Sequence, residues 1–211
     1  MSTIIDDRLN DLKDSVIYHF KINHDKDKLL KESRVARYNA INEKNLDRYK
    51  RLGFIEKNDG VTYDVEDKEW FNTQKDWKIS SKINDDPNSE TERLHNVFKE
   101  VLEVDNLGPR FLTQKEGADV HYHIDGETLC AINFLVRGDQ TPISFKDIGY
   151  FYYDVALINT NHSHSVPKQV DEDRVLFKLR IKQMTFKEAK ERLIAKNFWK
   201  YWSKIKTITI I

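Results

Sequence analysis

The chain has 211 residues, 33% of them charged and 39% hydrophobic, with a formal net charge of zero. That length supports one well-covered core or at most two small ones, and the balanced charge gives the chain as a whole no pull toward nucleic acid or an anionic membrane. The single cysteine, Cys130, excludes an intrachain disulfide framework and fits a reducing compartment.

No apolar run approaches the ~20 residues that a membrane span needs. The opening "MSTIIDDRLNDLKD" is too acidic and too broken for a signal peptide, so a cytoplasmic protein is expected. No repeat or low-complexity tract stands out. A short opening helix precedes "SVIYHFKI", where Val16, Tyr18, Phe20 and Ile22 alternate with more polar neighbours as in a half-buried strand. From Asp27 to about Arg51 the sequence is charged, with leucines and tyrosines at irregular helical spacing. The clearest breaks are "EKNDGVTYD" and "NDDPNSE".

Ser89 opens a helix, with Glu92 placed for a reciprocal capping box and Leu94, Val97, Phe98, Val101 and Leu102 on one face. From Arg110 to Lys182 the chain reads as strand after strand: "RFLTQK", "ADVHYHI", "TLCAINFLV", "PISF", "YFYYDVALIN" and "RVLFKLRI". Turn signals at "EG", "DG", "RGDQ" and "DIG" divide them, and strands at this spacing predict a barrel or sandwich. A second capping box, Thr185 with Glu188, begins a closing helix expected to reach residue 205. Its aromatic stripe, with Trp199 and Trp202, reads as packing against the sheet. The alternative is a nucleic-acid surface, since basic and aromatic residues interleave in "NFWKYWSKIK". The expected organisation is one domain over 1–211. Residues 1–108 form a mostly helical support with one or two strands, 109–182 the β core, and 185–205 the closing helix.

Four of the seven histidines fall in two alternating pairs, His121 with His123 and His162 with His164. On a strand, positions i and i+2 share a face, so His123 and Asp125 can reach one cation from a strand end while Tyr122 and Ile124 turn away. A distant third ligand would complete two histidines and one carboxylate on a single face of an octahedron, the arrangement typical of non-haem Fe(II) oxygenases. By itself H-x-D is a weak signal, equally readable as a polar patch. Arg174, ten residues after His164, adds to it. Its face carries Leu176, while Val175, Phe177, Leu179 and Ile181 make the other face apolar. If that apolar face packs on helices, Arg174 points inward and offers a bidentate fork for a carboxylate. The alternative is a surface arginine paired with Asp171 or Asp173.

His123-x-Asp125, a distal His164 in "HSV", and Arg174 ten positions on resemble the Fe(II)/2-oxoglutarate-dependent dioxygenases. Within that superfamily, "ALINTNHSHSVPKQVDEDRVLFKL" is most similar to the aspartyl/asparaginyl β-hydroxylase-like branch. The resemblance spans about Arg110 to Ile181. It implies a mainly β protein with flanking helices around a double-stranded β-helix, a cupin-like jelly-roll core. It further implies that His123, Asp125 and His164 bind Fe(II) and that Arg174 holds the distal carboxylate of 2-oxoglutarate. The activity implied is hydroxylation by O2 with decarboxylation of 2-oxoglutarate to succinate and CO2, the substrate being a small molecule or a polypeptide, an amino acid or protein side chain favoured. One departure concerns the strand after H-x-D, where the branch often carries a basic residue. Here "TLCAINFLV" offers only Asn133, which either replaces that contact or satisfies a backbone group.

Two other readings stand beside this one. "HYHIDGE" also fits a cupin metal motif using His121, His123 and Glu127, although the second cupin motif is absent. A non-catalytic binding barrel would need none of the four matched residues. On the oxygenase reading, His121 and His162 line the mouth of the pocket, and Cys130 is a small buried apolar residue.

Overall fold

The structure, a computed structural model, describes residues 11–40, 55–56, 60–61, 77–80, 86–118, 120–125, 128–138, 141–168 and 172–198. Residues 11–14 are helical. In chain order there follow β1 (Ile17–His19), α1 (Lys26–Val35), β2 (Tyr38–Ala40), β3 (Ile55–Glu56), β4 (Gly60–Val61), β5 (Trp77–Ser80) and α2 (Glu90–Leu102). Then come β6 (Gly108–Gln114), β7 (Val120–His123), β8 (Cys130–Arg137), β9 (Ile143–Phe145), β10 (Gly149–Phe151), β11 (Val155–Ile158), β12 (His164–Val166), β13 (Arg174–Ile181) and α3 (Phe186–Ala195). The protein is mainly β, with few helices. A large sheet runs β1-β11-β8-β13-β6-β5-β2, a small one β10-β9-β12-β7, and β3 and β4 form a hairpin. Every pairing is antiparallel.

Both faces of the large sheet are covered, so β8 and β13 are buried along almost their whole length. On one face, Ile132, Phe134, Phe177 and Leu179 pack with Leu29 of α1, Leu94 and Phe98 of α2, and Phe186 and Leu193 of α3. On the other, Leu135, Ala156, Ile158 and Leu176 join Ile143, Phe145 and Phe151 of the small sheet. The helices are anchored as their sequences predict. Ser89 Oγ accepts from Glu92 N–H at 3.1 Å, and Glu103 ends α2 in the left-handed region with φ 50°. Only this half of the Ser89 box forms, because the Ser89 N–H is taken by the Asp86 carbonyl and the Glu92 carboxylate turns to Asn96 and His95. The Thr185–Glu188 box is complete.

Three expectations need correction. The closing helix stops at Ala195 rather than 205: Asn197 takes φ 64°, and the Phe198 carbonyl folds back to accept from Tyr18 Oη at 2.5 Å. Trp199, Trp202 and the interleaved segment from 199 on lie outside the described residues. Among the described residues, the N-terminal half supplies five short strands where one or two were expected. Of these, β2 and β5 extend the large sheet beyond β6, held by edge pairing that three- and four-residue segments do not announce in sequence. Finally, "YFYYDVALIN" is not one strand. It splits into β10 in the small sheet and β11 in the large one, and the crossing at residues 152–154 carries Tyr153 into the interior.

Phe177 is fully buried and touches the rings of Phe111 on β6 and Phe134 on β8. Phe177→Ala should therefore lower unfolding free energy by about 3–5 kcal/mol, read as a lower urea midpoint; a loss under about 1 kcal/mol would mean that β13 is not the centre of this core.

Candidate metal centre

The register of the small sheet builds the site. His123 ends β7 directly opposite His164, which begins β12, and their rings lie 4.4 Å apart between centroids. Asp125 follows two residues after His123, its backbone held on both sides: its N–H donates to the Thr160 carbonyl at 3.0 Å and its carbonyl accepts from Thr128 N–H at 3.1 Å. Thr160 is in turn fixed by a 2.7 Å bond from its hydroxyl to the Thr128 carbonyl. Tyr122 and Ile124 point outward, 48% and 54% exposed.

One ligand atom from each of His123, Asp125 and His164 lies within 4.8 Å of the others, and His123 Nε2 stands 3.6 Å from Asp125 Oδ1. Bonds of about 2.1 Å to a common ion place neighbouring donors roughly 3 Å apart, so the triad fits a divalent metal after a closure of about an ångström. His164 is already oriented for it. Its Nδ1–H donates to the His162 carbonyl at 2.9 Å, leaving Nε2 as the free lone pair, the support that metal-binding imidazoles commonly have. His164 is buried, whereas the side chains of His123 and Asp125 are about a quarter exposed, so the centre opens to solvent on their side.

The charges around this centre are strongly organised. Lys178 places Nζ 2.6 Å from Asp125 Oδ2, and its residue is 8% exposed. Burial raises the Asp125 carboxyl, but the Lys178 ammonium and both imidazoles outweigh it and hold the group below the usual carboxylate range. Burial, reinforced by His123, pushes His164 down to about 3. The structure thus keeps this imidazole neutral, the form that ligates.

Arg174 lies four residues before Lys178 on the same inward face of β13 and is 2% exposed. Its Nη2 donates to Tyr153 Oη at 2.8 Å, Asn133 Nδ2 reaches the same oxygen at 3.3 Å, and Asn133 stands opposite Lys178 in register. Arg174 Nε and Asn133 Oδ1 are buried with no hydrogen-bond partner among the described residues. Asp173 and Glu172 pair with Arg137 instead, so the surface pairing of Arg174 with Asp173 is not what the structure holds; Asp171 lies outside the described residues. The unpartnered Nε–H of a buried guanidinium suits an anion such as a carboxylate; the Asn133 amide oxygen, an acceptor, does not.

Not every candidate residue joins the group. His162 precedes β12, which begins at His164; its ring meets the Lys146 carbonyl (3.4 Å) and Phe145 and is not in the ligand cluster, while its carbonyl orients His164. His121 lies on β7, but its side chain is not among those described, and Glu127 lies outside the described residues. Cys130 is buried on the helix side of β8, and burial pushes its thiol up to about 12, far from a nucleophile's range. Sequence reading passed over two residues. Lys178 was legible from the alternation Arg174, Leu176, Lys178; Tyr153 was not, because it sits where an expected strand breaks.

Gly138 shapes the arginine. It has φ +83°, and a Cβ there would lie 2.9 Å from both Cα and Cβ of Arg174. Gly117, with φ +80°, faces nothing nearer than the Lys168 side chain at 3.9 Å. Gly138→Ala should then cost more than the roughly 1 kcal/mol of backbone strain expected for Gly117→Ala; equal melting temperatures for the two variants would rule out the close approach.

The metal-free protein should also be acid-sensitive in a particular window. The folded-state pKa of His164 lies below its unfolded value near 6.5, so its contribution is complete above about pH 6.5 and is lost as pH falls toward about 3. The Asp125 carboxyl, also lowered, gives up its contribution only below about pH 4. Unfolding free energies from urea titrations without metal should fall between pH 7 and 5 by up to about 1.4 kcal/mol per unit, and His164→Gln should flatten that slope. A flat wild-type profile would show that His164 is not held neutral by the fold.

No protein-family model matches the chain, and no curated protein matches it. Among solved structures it is similar to an oxidoreductase of the 2OG-Fe(II) oxygenase family from Burkholderia pseudomallei, with 12% identity and a TM-score of 0.37 over 50% of this chain and 68% of that one. It is also similar to a prolyl-4-hydroxylase from Pseudomonas putida, with 8% identity and a TM-score of 0.40 over 72% and 96% of the two chains. A third likeness is to an RmlC-like cupin protein from Desulfovibrio desulfuricans, with 13% identity and a TM-score of 0.29 over 36% and 73%.

Proposed function

We propose that the chain is an Fe(II)- and 2-oxoglutarate-dependent oxygenase with a jelly-roll core that hydroxylates an amino acid or a polypeptide side chain. The observation that carries this reading is the pairing of two features in one interior: a two-histidine, one-carboxylate triad, and a buried arginine on the adjacent strand face with an unpartnered Nε. A metal site alone has no use for the arginine. A five-carbon diacid that chelates the metal at one end needs a cation at the other.

On this reading His123, Asp125 and His164 would hold the iron, with O2 as the oxidant. Bound there, the iron and cosubstrate supply oxidative decarboxylation of 2-oxoglutarate to succinate and CO2, coupled to hydroxylation of a carbon. The chain's own residues bind and orient. Arg174 grips the distal carboxylate, Tyr153 Oη accepts from both the arginine and Asn133 Nδ2, and Leu176 supplies an apolar floor between the two ends. The quarter-exposed side of His123 and Asp125 is where a substrate carbon approaches. The favoured substrate class rests on the resemblance of the 156–179 region to the aspartyl/asparaginyl β-hydroxylase-like branch.

Two sets of variants test the reading together. His123→Ala, Asp125→Ala and His164→Ala should each lose specific Fe(II) after chelator challenge, while His121→Ala and Glu127→Ala keep it; the reverse pattern would favour the cupin-type site. Arg174→Ala should keep iron but bind 2-oxoglutarate more weakly by about 2–5 kcal/mol, with Arg174→Lys recovering only part because an ammonium lacks the planar fork. Equal 2-oxoglutarate affinity in wild type and Arg174→Ala, titrated anaerobically into the Fe(II) protein, would remove the oxygenase assignment.

A further inference from the structure

We propose that Lys178 is a positioning residue that confines Asp125 to one metal-facing oxygen and offsets its charge, so that the centre favours an anionic chelating ligand at the expense of metal affinity. The inference rests on the metal-centre reading above and adds a residue to it.

The two oxygens of Asp125 are divided. Oδ1 faces His123 Nε2 at 3.6 Å, and Oδ2 is held by Lys178 Nζ at 2.6 Å. A carboxylate gripped this closely on one oxygen offers the other as a single donor, whereas a free one can take two positions of an octahedron by binding bidentately. With two imidazoles and one oxygen, three positions remain; a bidentate Asp125 would leave two, too few for a chelating acid and dioxygen together.

Charge leads to the same residue. A divalent ion with one carboxylate carries a net charge of +1, and Lys178 raises that to +2 in a largely buried space. Like charges at this range repel the cation and attract an anion, and low effective dielectric enlarges both effects. Burying an ammonium is costly in itself. A site built only to hold metal would do better with an apolar residue at 178, since the metal alone would neutralise Asp125. No helix-side packing requires a lysine there either, because position 178 faces inward with Arg174 and Leu176 while Phe177 and Leu179 face the helices.

The test uses the full chain as wild type, Lys178→Met, Lys178→Gln and Lys178→Arg. The glutamine keeps an N–H donor without charge and guards against a methionine variant that fails to fold. Mn(II) is titrated calorimetrically into each metal-free protein, and 2-oxoglutarate is then titrated into the Mn(II)-loaded form. Lys178→Met and Lys178→Gln should bind Mn(II) about tenfold or more tightly than wild type and bind 2-oxoglutarate about tenfold or more weakly, while Lys178→Arg stays near wild type for both. Their metal-free melting temperatures should fall and their Mn(II)-induced rise should exceed that of wild type. The opposed shifts are required together, and any other combination overturns the proposal. A lysine that merely supports the fold would leave Mn(II) affinity unchanged or reduced. Wild-type protein that binds no Mn(II), or binds it equally well with His123→Ala and His164→Ala, would instead sink the metal-centre reading itself.

Discussion

The alternation of side chains along Arg174–Ile181 is the constraint on which both the core and the site depend. A strand sends neighbouring residues to opposite faces, and β13 lies inside the large sheet, between β8 and β6. Val175, Phe177, Leu179 and Ile181 therefore go to the helices, while Arg174, Leu176 and Lys178 go to the interior shared with the small sheet. A register slip by one residue would put two cations into the helix packing and phenylalanine into the polar pocket. Seven consecutive pairs to β6 and a matching ladder to β8 prevent that slip.

The small sheet carries a different kind of precision. Its strands are only three or four residues long, yet the direct pairing of His123 with His164 sets two imidazoles side by side, tilted 46° to one another. Asp125, beyond the end of β7, gets its position from backbone bonds to Thr160 and Thr128 rather than from strand pairing. The 159–164 turn therefore serves the site twice: the Thr160 carbonyl anchors Asp125, and the His162 carbonyl orients His164. Asparagine and threonine residues suit such a turn because their side chains bond to nearby backbone, as Asn159 does to the Asn161 N–H at 3.2 Å.

Two cations, Arg174 and Lys178, are buried within one strand face, and burial of either is unfavourable without compensation. Lys178 is compensated by Asp125. Arg174 has the Tyr153 hydroxyl and, among the described residues, no partner at Nε. The two positions thus differ in kind: one charge is already paired at the metal centre, and the other is held for a ligand on the proposed reading. Gly138 contributes by absence, since its missing Cβ lets the β8 end pass against the Arg174 backbone.

The local rules that operate within a few residues were legible from sequence alone. They include the N-caps at Ser89 and Thr185, the apolar face of α2, most strands from Arg110 to Lys182, and the two-residue spacing of His123 and Asp125. The inward direction of Arg174 could be read conditionally, from the apolar stripe on the opposite face of its strand. What tertiary structure alone decided depends on groups far apart in the chain. Asp125 and Lys178 meet across 53 residues, and Arg174 and Tyr153 across 21. The division of "YFYYDVALIN" between two sheets, the end of α3 at Ala195, and the addition of β2 and β5 to the sheet edge also belong here. Periodicity reports which face of an element a side chain occupies; it carries no information on which other element that face will meet, because that is settled by the packing of the whole chain.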